Sequence, residues 1–183
     1  MLQYTWGITG YIEEPILGRL PVKTSPSGGA RHPGEVYVLV RRVRGVSPGL
    51  YHYAPDRHRL IRLAGKADKR IATAYCAGQS WFGDAAALFL MTAVFAREMW
   101  KYPVPRAYRV LTADAGHLCQ TFCLVATWLG LAPFCTMAFN DSLIERDLGI
   151  DGIGESMLYL AGVGKPAPGG TAPIDFIRRF ASA

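Results

Sequence analysis

A loop rich in proline and glycine, Thr24–Pro33, carries the residues whose types and spacing are best suited to chemistry. Its sequence is T-S-P-S-G-G-A-R-H-P. Proline fixes φ and glycine adopts conformations closed to other residues, so we expect a loop with exposed backbone N–H groups and room for a flat ligand. That arrangement would form a cofactor cradle. Most loops of this composition are simple turns before a strand, and the residues alone leave both interpretations open.

Two pairs of polar residues could carry out acid–base chemistry. Lys101 and Tyr102 are adjacent; a tyrosine beside an ammonium has its phenolate stabilised, and partial desolvation lowers the pKa of a lysine. On the residues alone, a solvated turn before Pro103 with an anchoring aromatic is the favoured interpretation. Asp114 and His117 lie one helical turn apart. They could form a proton relay, but buried polar groups more often form a satisfied structural pair.

The cysteine pattern gives no sign of a disulfide framework. Cys76, Cys119, Cys123 and Cys135 include no C-x-x-C pair, and no signal peptide precedes them. We therefore interpret them as small core residues of a cytoplasmic protein in a reducing compartment. Cys119 and Cys123 are spaced for one buried helix face. No metal site is expected, because the four histidines are not clustered with the cysteines.

The composition indicates a single domain, residues 1–183, with more apolar surface than a monomer needs. Half of the residues are hydrophobic, 19% are charged, and the mean hydropathy is +0.14. We expect some of this surface to be buried against another subunit. The net charge of +6 favours an anionic ligand. The basic residues are scattered and no nucleic-acid motif is present, so nucleic acid is not an expected partner.

Hydrophobic patterns predict a mixed α and β order with one long helix. The first residues, Met1–Gly18, resemble a helix end that continues into a loop, and Gly169–Ala183 is predicted to be a tail. The predicted helices are Gly65–Ala77, Arg106–Leu129 and a short helix from Asn140 or Asp141 to Leu148. The predicted strands are Glu35–Val43, Gly49–Tyr53, Arg59–Leu63, Ala85–Val94, Pro133–Ala138 and Ser156–Val163.

One apolar segment has the length of a membrane span. Leu118–Phe139 is almost entirely apolar, but Gln120 lies within it and G-L-A-P at Gly130–Pro133 interrupts it. A buried helix, a turn and a buried strand explain this pattern better than a transmembrane helix does. No association with a membrane is expected.

Several motifs in order resemble one family. They are P-S-G-G-A-R-H-P, E-V-Y-V-L-V, G-L-Y-H-Y, M-W-K-Y, R-A-Y-R, D-A-G-H-L and L-Y-L-A-G-V-G. From about residue 7 to residue 166 the chain resembles the nitroreductase-like flavoproteins, and most closely the SagB-type thiazole/oxazole dehydrogenases. The resemblance implies an α+β sandwich with a central mixed β-sheet and a long central helix. It also implies an intertwined homodimer with two FMN molecules at the interface, each touched by both chains.

The resemblance also assigns cofactor contacts. It places four loop residues against the isoalloxazine ring: Pro26, Ser27, Gly28 and Gly29. Met137 and Ala138 match the segment whose backbone N–H approaches flavin N5, and Lys165 matches a basic contact to the phosphate. Apart from the resemblance, Met137 and Ala138 are ordinary core residues and Lys165 an ordinary surface lysine.

One motif of the family has no counterpart in this sequence. Members usually begin with an Arg-rich segment, R-R-S-x-R, that holds the FMN phosphate. Either the chain is shortened at its N-terminus relative to the family, or a separate polypeptide supplies such a segment, or phosphate binding depends on other cations. The candidates are Arg19, Lys23, Arg31, Lys165 and the tail arginines Arg178 and Arg179. A relative that has lost FMN is the further alternative.

The resemblance implies a catalytic role for Lys101 and Tyr102. In the SagB-type branch a Lys-Tyr pair at this position is associated with oxidation of azoline rings, and either residue could be the base. The predicted function is FMN-dependent oxidation of a peptide or a related small molecule, alongside other enzymes of a biosynthetic cluster. Two alternatives stay open: an NAD(P)H-dependent nitro or quinone reductase, and a non-catalytic scaffold subunit without FMN.

Overall fold

A six-stranded antiparallel sheet forms the centre of the protein, in a computed structural model that describes residues 1–167 and 169. The strand order is β5-β4-β3-β6-β8-β7. Every pairing among the described strands is antiparallel, where the sequence led us to expect a mixed sheet. The strands are β3 (Gly34–Val40), β4 (Gly49–Ala54), β5 (Arg59–Ala64), β6 (Ala87–Val94), β7 (Ala132–Thr136) and β8 (Glu155–Gly164).

The middle strands of this sheet are apolar on both faces because helices cover both sides. In β3, Val36 and Val38 face one hydrophobic cluster, while Tyr37 and Leu39 face the other. This alternation follows from the two-residue period of a strand. The prediction of a central strand here is confirmed, although β3 ends at Val40 rather than Val43.

The longest helix, α4 (Tyr108–Trp128), packs on one face of the sheet. Phe122 is fully buried, its ring centroid 4.7 Å from that of Phe89, and Trp6 stacks on Phe89 at 5.6 Å. The helix ends before Gly130, which has a φ of +73°. The predicted helix, turn and strand between residues 118 and 139 are therefore confirmed. Among the described residues, no helix has the length and apolarity that a membrane span requires.

Two shorter helices cover the opposite face. These are α2 (Lys69–Tyr75) and α5 (Asp141–Leu148). The Asn140 side chain accepts a hydrogen bond from the Leu143 N–H at 3.1 Å, which confirms the predicted N-cap. Asp68 caps α2 in the same way. Two short α-helices also lie in the described part of the chain: α1 (Leu2–Thr5), of four residues, and α3 (Phe95–Met99), of five.

A hairpin near the N-terminus was missed by the sequence analysis, which predicted a loop there. Its strands, β1 (Gly10–Glu14) and β2 (Gly18–Val22), form a separate two-stranded sheet. Tyr11 and Ile12 are about half exposed. Because neither strand has a buried face and Pro21 interrupts β2, the alternation that signals a strand is missing.

The packing of α4 gives a direct test of this fold. Phe122→Ala should lower the free energy of unfolding by about 3–5 kcal/mol, because it removes a fully buried ring that packs against both Trp6 and Phe89. Gln120→Ala, on an exposed position of the same helix, is the control and should change stability by less than about 0.5 kcal/mol. Urea unfolding measures both. Equal losses in the two variants would contradict the described packing.

Candidate functional site

The Pro/Gly loop forms a tight left-handed bend before β3. Gly29 and Ala30 both have a φ of +56°, and His32 has a φ of +47°. Such values are costly for Ala and His, and residues held in them concentrate at functional sites. The bend is held internally, because the Ala30 N–H donates to the Ser27 carbonyl at 3.0 Å and the His32 N–H donates to Ser27 Oγ at 2.9 Å.

The bend is tied to α4 through Asp114. The Gly28 N–H donates to both carboxylate oxygens of Asp114, at 3.1 and 3.2 Å, and Asp114 is only 6% exposed. The Arg31 N–H in turn donates to the Gly28 carbonyl. The expectation that this loop leaves its amides exposed is therefore wrong for Gly28, Ala30, Arg31 and His32. The hydrogen bonds of these amides stabilise the conformation of the loop. A ligand would therefore contact the surface of the loop's small residues rather than its N–H groups.

Asp114 does not pair with His117 as the sequence spacing suggested. Within the described chain, the recorded partner of Asp114 is the Gly28 backbone, and His117 lies exposed on the next turn. The Asp114 carboxylate accepts a hydrogen bond from a backbone N–H that lies 86 residues earlier in the chain, and no local sequence pattern predicts such a contact. The one available hint was an acidic residue on an otherwise apolar helix.

Lys101 and Tyr102 lie against Gly29. A Cβ placed on Gly29 would lie 2.6 Å from Lys101 Cδ and 2.9 Å from Tyr102 Oη. The turn after α3 brings them there, because the Lys101 and Tyr102 N–H groups both donate to the Glu98 carbonyl, at 3.1 and 3.0 Å. Lys101 Nζ lies 5.6 Å from the centroid of the Tyr102 ring. The structure thus brings the predicted catalytic pair beside the predicted cofactor loop.

Glu98 is a buried carboxyl that sequence analysis did not identify. It is fully buried, and neither of its oxygens has a hydrogen-bond partner among the described residues. Burial, and next the charge of Asp114, raise the pKa of Glu98 above its ordinary value, against the opposing influence of Arg31 and Lys101. Glu98 Oε1 would lie 3.1 Å from a Cβ on Gly28. An unpartnered carboxyl behind the loop is typical of a functional site.

A groove of about 580 Å³ opens between the loop and the start of α4. Its apolar wall includes Val110 and Ala113, and Asp114 lies at its base. Two exposed guanidiniums, Arg106 and Arg109, lie on its rim, and Tyr102 contributes its ring. A groove with a flat small-residue floor and cations at its edge suits a planar ligand that carries an anionic group.

Arg31, one of the predicted phosphate contacts, is engaged by its own loop. Its Nε donates to the Gly29 carbonyl at 2.9 Å, and its guanidinium lies 5.0 Å from the centroid of Trp100. Arg31 therefore helps to shape the bend. Arg106 and Arg109 are better placed to meet an anion in the groove.

The other predicted cofactor contacts lie elsewhere in the chain. Met137 is 66% exposed, and the Ala138 N–H donates to Thr136 Oγ1 at 3.0 Å. Lys165 follows the end of β8, which pairs with the start of β6. Gly34, which comes directly after the Pro/Gly loop, pairs with the other end of β6. Lys165 and the loop therefore lie at opposite ends of this strand. The described chain does not bring Met137, Ala138 or Lys165 to the groove.

A charged network supports the loop from β3. The Glu35 carboxylate bonds to His52 at 2.6 Å and to Arg97 at 2.5 Å. Burial raises the pKa of Glu35, but the hydrogen bonds from His52 and Arg97 outweigh it and hold the pKa below its ordinary value. Burial, and next the charge of Lys23, lower the pKa of His32 to about 4.

The fold and the groove together define an α+β sandwich with a small-residue binding loop against its longest helix. Residues 15–165 match the Nitroreductase family. The chain belongs to the nitroreductase family. Its α+β fold with a long helix is the one that the resemblance implied, although the sheet is antiparallel rather than mixed.

Three relatives place the chain more closely. Trifolitoxin-processing protein TfxB of Rhizobium leguminosarum bv. trifolii is 35% identical over 165 residues, covering 86% of this chain and 43% of TfxB. MJ1384 of Methanocaldococcus jannaschii, named as a candidate nitroreductase, is 34% identical and covers 78% of this chain and 70% of its own length. Microcin B17-processing protein McbC of Escherichia coli is 27% identical, covering 69% and 48%. The chain spans less than half the length of TfxB and McbC. The SagB-type resemblance is confirmed.

Solved structures show the same fold. A candidate nitroreductase from Anabaena variabilis superimposes with a TM-score of 0.81 and 27% identity, over 96% of this chain and 34% of that one. A chain of the Escherichia coli microcin synthetase McbBCD complex superimposes with a TM-score of 0.73 over 91% of this chain and 62% of its own. At 20% identity, that second likeness shows the fold alone.

The contact between the loop and α4 can be tested by a compensating pair. A methyl on Gly28 would overlap Val110 Cγ1, so Gly28→Ala should lower the free energy of unfolding by about 1–3 kcal/mol. Val110→Ala in the same chain removes the overlapping methyl. The double variant should therefore be more stable than the sum of the two single losses predicts, as measured by urea unfolding. Strict additivity would show that the loop does not pack on Val110.

The half-buried imidazole of His32 predicts a pH dependence. Because its pKa lies at about 4 in the folded chain and at 6.5 when unperturbed, the unfolded chain binds a proton between these values that the folded chain does not. Stability should therefore fall as the pH falls from 6.5 towards 4. His32→Asn, which tolerates a positive φ, should show a shallower fall in urea midpoint across this window. Parallel pH profiles for the two proteins would contradict a neutral His32 in the folded chain.

Proposed function

We propose that the chain binds FMN in the groove between the Pro/Gly loop and α4 and uses it to oxidise azoline rings of a peptide-derived substrate. The observation that carries the proposal is the convergence of Lys101 and Tyr102 on Gly29, which adjoins Gly28 in the lining of the groove. Membership of the nitroreductase family and the peptide-processing names of TfxB and McbC support the choice of chemistry.

The groove has features that fit FMN. Its volume of about 580 Å³ falls within the range of small-molecule sites. Gly28 lines the groove, and the lack of a Cβ at Gly28 and Gly29 lets the loop lie directly against Val110 and Lys101. Arg106 and Arg109 on the rim would meet the phosphate. Their planar guanidiniums suit bidentate contact with such a group.

The residues of the chain would divide the oxidation between them. Converting an azoline into an azole removes a hydride from one carbon and a proton from its neighbour. FMN, when bound, supplies the hydride acceptor. Tyr102 Oη is the base that we favour, because Lys101 lies next to its ring and an ammonium there stabilises the phenolate. The Lys101 ammonium would stabilise the phenolate form of Tyr102 before the transfer, and the proton that Tyr102 takes from the carbon would then leave to solvent.

A second copy of the chain would complete the site. Met137 and Ala138 lie away from the groove of their own chain, and the family resemblance implies cofactor contacts from both subunits. The exposed apolar residues near the C-terminal end of α4 offer a surface for that association: Leu124 and Trp128 are 62% and 71% exposed. We therefore propose a homodimer that packs through this helix.

A nitroreductase activity is the second candidate. MJ1384, of which the chain covers 70%, is named as a candidate nitroreductase. The two functions differ in what must reach the groove. A nitroreductase needs a nicotinamide donor and turns over nitroaromatics without a peptide. An azoline dehydrogenase needs no nicotinamide donor.

Two substitutions test the proposed roles. In FMN-loaded protein, Lys101→Ala and Tyr102→Phe should lower the oxidation of a thiazoline-bearing peptide by about 100-fold or more, since they remove the base or its charge partner. Both should retain FMN, as read from the visible absorbance of the desalted protein. Tyr4→Phe, on the exposed side of α1, is the matched control and should keep full activity. Azole formation is followed by mass spectrometry as the loss of two hydrogens.

Three results would overturn parts of the proposal. Full activity in both variants would remove Lys101 and Tyr102 from the chemistry. A wild-type protein that takes up no FMN would favour a scaffold role. Rapid reduction of nitroaromatics with NAD(P)H, and no azole formation, would favour the nitroreductase.

A further inference from the structure

Three of the four cysteines lie close together beside the C-terminal half of α4. Cys119 and Cys123 lie one turn apart on the helix, and Cys135 comes from β7. Their Sγ atoms all lie within 4.8 Å of one another. None of them lines the groove. We propose that Cys119, Cys123 and Cys135 form a Zn²⁺ site, with a solvent molecule as the fourth ligand; this inference does not depend on the proposed function.

The spacing of the three sulfurs suits a tetrahedral metal. Zn–S bonds of about 2.3 Å at tetrahedral angles place sulfur atoms about 3.8 Å apart. Thiols within 4.8 Å of one another reach that spacing by small rotations of the cysteine side chains. A helix and a paired strand hold the three Cα positions, so the site is largely formed before an ion enters.

A Zn²⁺ ion would bind the three sulfurs as thiolates. The three thiol protons would leave to solvent as the Zn–S bonds form.

The surroundings leave one side of the cluster open. Cys119 is 4% exposed, Cys123 is half-buried and Cys135 is exposed. An ion can therefore enter from the side of Cys135, where solvent would provide the fourth ligand. The Tyr159 O–H donates to Cys135 Sγ at 3.7 Å and fixes the direction of that sulfur. Thiolate ligands select Zn²⁺ over the hard cations Mg²⁺ and Ca²⁺.

Such an ion would have a structural consequence. It would join α4 to β7, and β7 leads directly into Met137 and Ala138. The ion would therefore hold the start of that segment in place relative to the helix that lines the groove.

Metal analysis of the whole chain tests the site. Protein purified under reducing conditions and dialysed against trace Zn²⁺ should retain about one Zn²⁺ per chain, since three thiolates and a solvent molecule complete its tetrahedral coordination. Cys135→Ser changes an exposed ligand and should weaken Zn²⁺ affinity at least about tenfold while the circular dichroism spectrum stays unchanged. Cys76→Ala removes the one cysteine outside the cluster and is the matched control, which should retain the ion.

A second measurement identifies the ligands. With Co²⁺ in place of Zn²⁺, the wild-type protein should show a sulfur-to-metal charge-transfer absorption that Cys135→Ser and Cys123→Ser lose and Cys76→Ala keeps. Absence of bound metal in the wild type would overturn the proposal. An equal loss in Cys76→Ala, or a disulfide between two of the three thiols under the same reducing conditions, would also overturn it.

Discussion

The hydrogen bonds between the Gly28 N–H and the Asp114 carboxylate determine the shape of the candidate site. They tie a left-handed bend to the middle of the longest helix, and the space between bend and helix is the groove. The contact demands glycine at position 28, because any side chain there would meet Val110. It also requires a buried carboxylate on α4. A carboxylate buried in an apolar core would lower the stability of the fold if its oxygens accepted no hydrogen bond.

Two buried carboxyls lie next to this contact, and they differ in their hydrogen bonding. Asp114 is satisfied by a backbone donor, while the Glu98 carboxyl behind the loop has no partner in the described chain. Burial first, and next the negative charge of Asp114, raise the pKa of Glu98 above its ordinary value. Lys101 and Tyr102 project from the turn that begins at Glu98. The acid, the base candidates and the loop therefore form one unit, built from three separate parts of the sequence.

Much of this fold could be predicted because its signals are local. Gly130 marks the end of α4, Asn140 caps α5, and the apolar run of β3 identified a central strand. The hairpin β1–β2 was missed since its strands have no buried face to create alternation. The antiparallel sheet was not foreseen, because strand direction depends on long-range pairing that no local pattern records.

The site was predicted in part, for a related reason. The loop and the pair Lys101–Tyr102 were found through their motifs, but the engaged amides, Glu98 and the role of Asp114 depend on contacts between distant segments. Met137 and Ala138 remain predictions, because one chain does not bring them to the groove. The measurement that tests the account most directly is a crystal structure of the protein with FMN. We expect the isoalloxazine ring on Gly28 and Gly29, with Tyr102 beside it. A ring bound elsewhere, or a groove filled by the chain's own side chains, would contradict the account.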